Sequence, residues 1–391
     1  MRLAAIGCVA FCAAAVGLAI GSGNDHAQPP AGRSAIVAPR AFVVHHPRRY
    51  ALPRHAAHVS SAAGLRRALA VHRPTSIVLA SGSYGGSEPF VDQAGHAIYA
   101  ARRGRAVLRA GLSIGGNGAA AGSLVRGIVL DLRDPRATLG GAAIAVWGHA
   151  SDTHILDTTI RGHGVLDSGV AVRRPEGLVI RRLVARGFTS YGVLVDANEL
   201  NRGRMRPRAL VEDVDVVGVA RPVPRSSDGR AESCVWIGNT ALVRRVRVRS
   251  CAWAGLWTGT ATIGATFDQI DVDRTPTGVY IEHFTRDSTF RALRIGPRVR
   301  IGLAAEWADP VWDRRPASVG NVIEDSRFES SLVGVYLDQG TTRTTVRRSS
   351  FAGQTWAAIG DYRGVGNAVY ENHYEDPNPV RHEHLGSARR G

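Results

Sequence analysis

The sequence predicts an all-β chain, a solenoid of stacked parallel strands, and three observations carry that expectation. A small residue followed by alternating apolar positions recurs as Gly169-Val-Ala-Val, Gly192-Val-Leu-Val, Cys234-Val-Trp-Ile and Gly255-Leu-Trp-Thr. It continues as Gly278-Val-Tyr-Ile, Gly302-Leu-Ala-Ala, Gly334-Val-Tyr-Leu and Ala357-Ala-Ile-Gly, and five of the seven steps between these motifs fall within 21–24 residues. That spacing is a coil period, and period-2 alternation of this kind is not helical. A second apolar stretch precedes each motif and carries paired polar residues: Arg181-Arg182, Glu212-Asp213, Arg244-Arg245, Asp268-Gln269, Arg291-Ala292, Glu324-Asp325, Arg347-Arg348 and Glu371-Asn372. Thirdly, 44% apolar residues and 45 glycines in 391 residues suit a large core with many turns.

The paired residues alternate in sign from coil to coil. Stacked parallel strands lie about 4.8 Å apart, so alternation sets each charge between opposite neighbours, where like charges would repel. The reading is structural and absorbs much of the formal charge of +16. All 49 basic side chains are Arg, which excludes a lysine nucleophile, Schiff base or general base. Nucleic-acid binding would rest on charge alone and is not expected. No phosphate-binding glycine loop, zinc-ligand spacing or serine nucleophile elbow occurs.

At the N-terminus, Met1-Arg2 and the apolar run Leu3 to Ile20 read as a secretory signal over residues 1–22, an uncleaved anchor being the alternative. Residues 23–55 read as a solvated linker. Ser60-Ser61 then cap a helix with Leu65 and Leu69 on one face, followed by a strand from Ser76 to Leu79. Repeats fill residues 56–376, and 377–391 form a polar tail containing His382-Glu383-His384. Beyond the signal only Cys234 and Cys251 remain. The repeat does not stack them, so their pairing stays open.

The coil resembles that of the pectate-lyase-like superfamily over about residues 60–376. The resemblance implies a right-handed parallel β-helix, a solenoid of about ten coils with an N-terminal capping helix, whose substrates bind on the sheet carrying the motif and the loops after it. Lyases of this kind use Lys or Arg as base, often with calcium, so the resemblance implies an Arg here, with Arg314 or Arg286 as candidates. Gly162-His163-Gly164 resembles a polygalacturonase motif, but that family's other segments are not in order. The Asp-Pro-His-Asp motif of alginate epimerases is absent.

In the motif strand, alternation turns the third and fifth positions outward. The third reads Ala171, Leu194, Trp236, Trp257, Tyr280, Ala304, Tyr336, Ile359; the fifth reads Arg173, Asp196, Gly238, Gly259, Glu282, Glu306, Asp338, Asp361. An aromatic stripe beside an acidic one suits a polysaccharide groove. Insertions at 197–208, 220–232 and 307–320 follow or bracket this strand, and insertions on one solenoid face usually build the binding side.

The reading is therefore a secreted or cell-surface polysaccharide-active enzyme that cleaves glycosidic bonds. Glu282, Glu306 and Asp338 are the candidate catalytic carboxylates, since neighbouring coils match the retaining separation of about 5–5.5 Å and alternate coils the inverting one of about 6.5–9.5 Å. Trp236, Trp257, Tyr280, His283, Trp307, Trp312, Tyr336, Asp196 and Asp361 are candidate substrate contacts. Arg314, Arg315 and Arg202 would hold an acidic sugar. A lyase acting on uronic-acid glycans, with or without calcium, and a non-catalytic glycan-binding protein are the alternatives. Hydrolysis needs no cofactor, and no membrane partner is expected once the signal is removed.

Overall fold

The computed structural model describes residues 50–116, 120–148, 150–173, 175–196, 209–219, 233–259, 262–282, 285–305, 318–375 and 379–385. The signal segment and most of the linker lie outside the described residues. So do Glu306, His283, Trp307, Trp312, Arg314, Arg315 and Arg202.

The described residues build a right-handed parallel β-helix in which every named strand pairing is parallel. The motif strands form an unbroken ladder from Phe90 to Arg381. The stretch before each motif runs as two ladders rather than one, because a single left-handed residue bends it in every coil. These bends fall on Asp157, Arg182, Asp213, Arg245, Gln269, Ala292, Asp325, Arg348 and Glu371, all with φ between 48° and 58°. Most are the second members of the polar pairs, so the pair marks the corner as well as the charge.

The alternating charges meet as ion pairs across that corner. Arg182 Nε lies 2.6 Å from Asp157, Arg245 Nε 2.6 Å from Asp213, and Arg348 Nε 2.8 Å from Asp325. Glu212, buried on this file, is shared by Arg181, Arg244 and Arg245.

The interior explains the small residue that opens each motif. A Cβ on Gly192 would come 2.2 Å from Val216, one on Gly255 2.6 Å from Val272, and one on Gly334 2.4 Å from Phe351. Glycine there leaves room for side chains of the stretch leading into the next motif to fill the core. Behind it, phenyl rings stack from coil to coil: Phe267 on Phe290 at 4.7 Å and Phe328 on Phe351 at 5.1 Å. One coil departs from the rule. Cys234 takes the glycine position and forms a disulfide with Cys251 at the end of the next strand of that coil, with Cα atoms 5.5 Å apart.

At the N-terminal end, Ala62–Leu69 is helical, capped by Ser61, with Leu65 and Leu69 buried over the first coils. Ser76–Leu79 is a strand. At the other end the last coil is displaced by one residue from the motif alignment. Val335 pairs with Ile359 and Tyr336 with Gly360, because Ala358, not Ala357, occupies the small position against Gly334. On the opposite side, Arg347 pairs with Tyr370, so the last polar pair is Tyr370-Glu371. Asn372 turns inward, accepting from the Ser349 N–H at 2.9 Å and donating to the Val346 carbonyl at 2.9 Å. Val380 and Arg381, expected as part of the polar tail, extend the motif ladder instead, pairing with Ile359 and Gly360.

Candidate functional site

Strand register places Leu194, Trp236, Trp257, Tyr280, Ala304 and Tyr336 in one file. The neighbouring file contains Arg173, Asp196 and Gly238, followed by Gly259 and Glu282 directly after the next two strands, and Asp338 farther along. Asp361 is not in this acid file. It stands in register with Leu337, and its Oδ1 accepts from Asn367 Nδ2 at 3.0 Å. Ile359, expected on the outer face, is fully buried and Gly360 takes its outward place.

The aromatic file divides in two. Trp236 and Trp257 are half-buried and meet edge to face at 6.1 Å. Tyr280 is only 7% exposed, because Trp253 from the preceding corner covers it at 4.3 Å and Trp257 abuts it at 5.7 Å. Tyr336 is 6% exposed, packed with Trp356 and Leu385, and its hydroxyl accepts from the Leu385 N–H at 3.3 Å. The open part of the stripe is therefore its Trp236–Trp257 section.

Two glycines make a seat there. A Cβ at Gly259 would lie 2.6 Å from Trp236 Cζ2, and one at Gly238 would lie 3.2 Å from Trp236 Cη2 and 3.6 Å from Asp196 Oδ1. The Trp236 indole thus lies across the acid file, over both glycines, with Asp196 at one end and Glu282 at the other. Among the described residues the indole Nε1 of Trp236 has no hydrogen-bond partner.

The carboxyls differ in environment. Burial pushes the Glu282 carboxyl up to about 7; the Trp257 indole N–H pulls it back part of the way, and the charge of Asp196 raises it further. A carboxyl kept protonated near neutral pH is what a general acid requires. Burial also raises Asp338, against the opposing pull of the Gln339 N–H, the His384 charge and the Tyr336 hydroxyl. Asp338 lies beside the covered Tyr336, its Oδ1 3.4 Å from the phenol oxygen, at the closed end of the groove.

Calcium needs six to eight oxygen ligands. Among the described residues no three His, Cys, Asp or Glu side chains gather as a metal site would. Arg286 lies half-buried on the short three-stranded sheet beyond Glu282. His163 sits apart from the groove, with Nε2 2.5 Å from Asp131 Oδ1.

Two side chains of the groove were not singled out by the repeat reading. Val146 pairs with Val172, so the acid file begins one coil earlier with Trp147, next to Arg173. The signal was available in Ala142-Ala-Ile-Ala-Val-Trp147, an alternating strand without the opening glycine. Trp253 lies in a corner outside the motif, where periodicity says nothing.

The fold and groove define a right-handed parallel β-helix with one aromatic and acidic face. No family model and no characterised protein sequence matches the chain. Among solved structures it is similar to a PL6 alginate lyase in complex with a trisaccharide, at 10% identity and TM-score 0.49, covering 87% of this chain and 89% of that one. A GH87 α-1,3-glucanase catalytic domain bound to tetrasaccharides matches at 12% and 0.47, covering 86% and 71%. The A-module of a mannuronan C-5 epimerase from Azotobacter vinelandii matches at 11% and 0.40, covering 84% and 97%. Identities this low concern the fold alone.

Proposed function

We propose that this chain is an exported glycan-active β-helix that holds a polysaccharide over Trp236 and Trp257 and hydrolyses it between Glu282 and Asp196. The observation that carries the reading is the seat of Trp236: an aromatic plane laid over Gly238 and Gly259 with a carboxyl at each end. Sugar rings present one apolar face and a rim of hydroxyls. An indole floor with flanking acids matches both parts.

In this reading Glu282 is the proton donor to the leaving oxygen and Asp196 is the base that activates water. Three strand spacings, about 14 Å at the backbone, separate the two residues along the file. Asp196 leans inward over Gly238, which favours the wider carboxylate spacing of inverting hydrolysis, about 6.5–9.5 Å, over the retaining one. The Cys234–Cys251 disulfide accords with export to an oxidising compartment.

A panel of neutral and uronic polysaccharides tests the reading. New reducing ends without the ultraviolet absorbance of an unsaturated sugar support hydrolysis. That absorbance would indicate elimination, and binding with neither product would leave a glycan-binding protein.

A further inference from the structure

The groove does not end at Asp196. Arg173 stands in register beside Asp196, yet its guanidinium turns away from that carboxylate and lies over the Trp147 ring, 4.8 Å from the centroid. Among the described residues Arg173 makes no ion pair and is exposed, whereas the corner arginines Arg182 and Arg245 are tied to carboxylates. Ala145 and Ala171, with Trp147 and Leu194 packed against them, leave the adjoining third-position file low. The result is a fixed cation at the rim of a shallow trough continuous with the Trp236 floor.

We propose that Arg173, held flat by Trp147, is a distal subsite that recognises an oxyanion, either a carboxylate or a sulfate ester, on the glycan. The inference rests on the groove reading above and adds the charge of the ligand at one position. A guanidinium pairs with such groups through two parallel N–H donors. Stacking on an indole fixes its plane beforehand, which lowers the ordering cost of an otherwise mobile side chain. Four strand spacings, about 19 Å, separate Arg173 from Glu282. Ligands short enough to occupy only the Trp236 floor do not reach it.

The test is calorimetric titration of the wild-type chain and Arg173→Gln with oligouronates, sulfated oligosaccharides and neutral oligosaccharides of increasing length. The expected result is that Arg173→Gln weakens long anionic ligands about tenfold or more and leaves short and neutral ones unchanged, with part of the loss restored in Arg173→Lys. The oligouronate and sulfated arms tell which oxyanion is read. Unchanged binding in Arg173→Gln, or an equal loss on neutral and anionic ligands, overturns the subsite while leaving the groove intact. If the wild-type chain binds nothing in the panel, the groove reading and this inference fall together.

Discussion

Gly259 lies beneath the indole of Trp236, so close that a Cβ would stand 2.6 Å from Cζ2 and 3.1 Å from Nε1. Its backbone φ is not in the left-handed region, so the requirement is one of space. Gly259→Ala is expected to lift the indole, weaken oligosaccharide binding, and cost about 1–3 kcal/mol of stability through overpacking. Calorimetric titration and thermal unfolding measure the two effects. Normal binding in that variant would show that the seat of Trp236 plays no part in ligand recognition.

Glu282 ties its protonation to both stability and rate. Its carboxyl is raised from 4.5 to about 7 in the folded chain, so the native state holds this proton more tightly than the unfolded state. The stability contributed is therefore complete below about 4.5 and is lost as pH rises through about 7. Thermal unfolding from pH 4 upward is expected to show this decline in wild type and its disappearance in Glu282→Gln, measured relative to each other. Hydrolysis is expected to fall over the upper part of the same window.

The fold was legible in the sequence because side-chain identity repeats with the coil. The glycine seats, the inward Val and Leu positions and the alternating Arg and acid corners are each set by contact with the next coil, so they recur. What failed to be legible lies where contacts leave that pattern. The last coil slipped by one residue because Ala357 and Ala358 are both small, and only packing against Gly334 chooses between them. Trp253 covers Tyr280, and Leu385 covers Tyr336, from positions outside the motif. Asp361 therefore belongs to a terminal turn with Asn367, and Asp338 sits at a closed end.

The Cys234–Cys251 pair illustrates the same limit, since it joins two strands within one coil rather than two stacked positions. It closes a loop of 17 residues in sequence separation, for which the chain-entropy account gives about 3 kcal/mol. Reduction, or the double substitution of both cysteines by serine, is expected to lower the unfolding midpoint measurably. An unchanged midpoint would remove the bond from any account of stability.

At the corner, Glu212 holds three arginines. Burial alone would raise its carboxyl, but the Arg245 hydrogen bond and the charges of Arg181, Arg245 and Arg244 outweigh it and keep the group below its ordinary value. This contribution is present above about 4.5 and is lost as the solution is acidified through the lower folded value. Glu212→Gln is expected to cost about 1–3 kcal/mol at neutral pH. Denaturant unfolding at pH 7 and at pH 3 should show the cost shrinking at the lower pH.

The account stands on Glu282 acting at the end of the Trp236 floor, and reducing-end release from the best polysaccharide of the panel measures that directly. Glu282→Gln is expected to retain binding and lose roughly 10²–10⁴-fold in turnover. Turnover within about twofold of wild type, with binding intact, would contradict it.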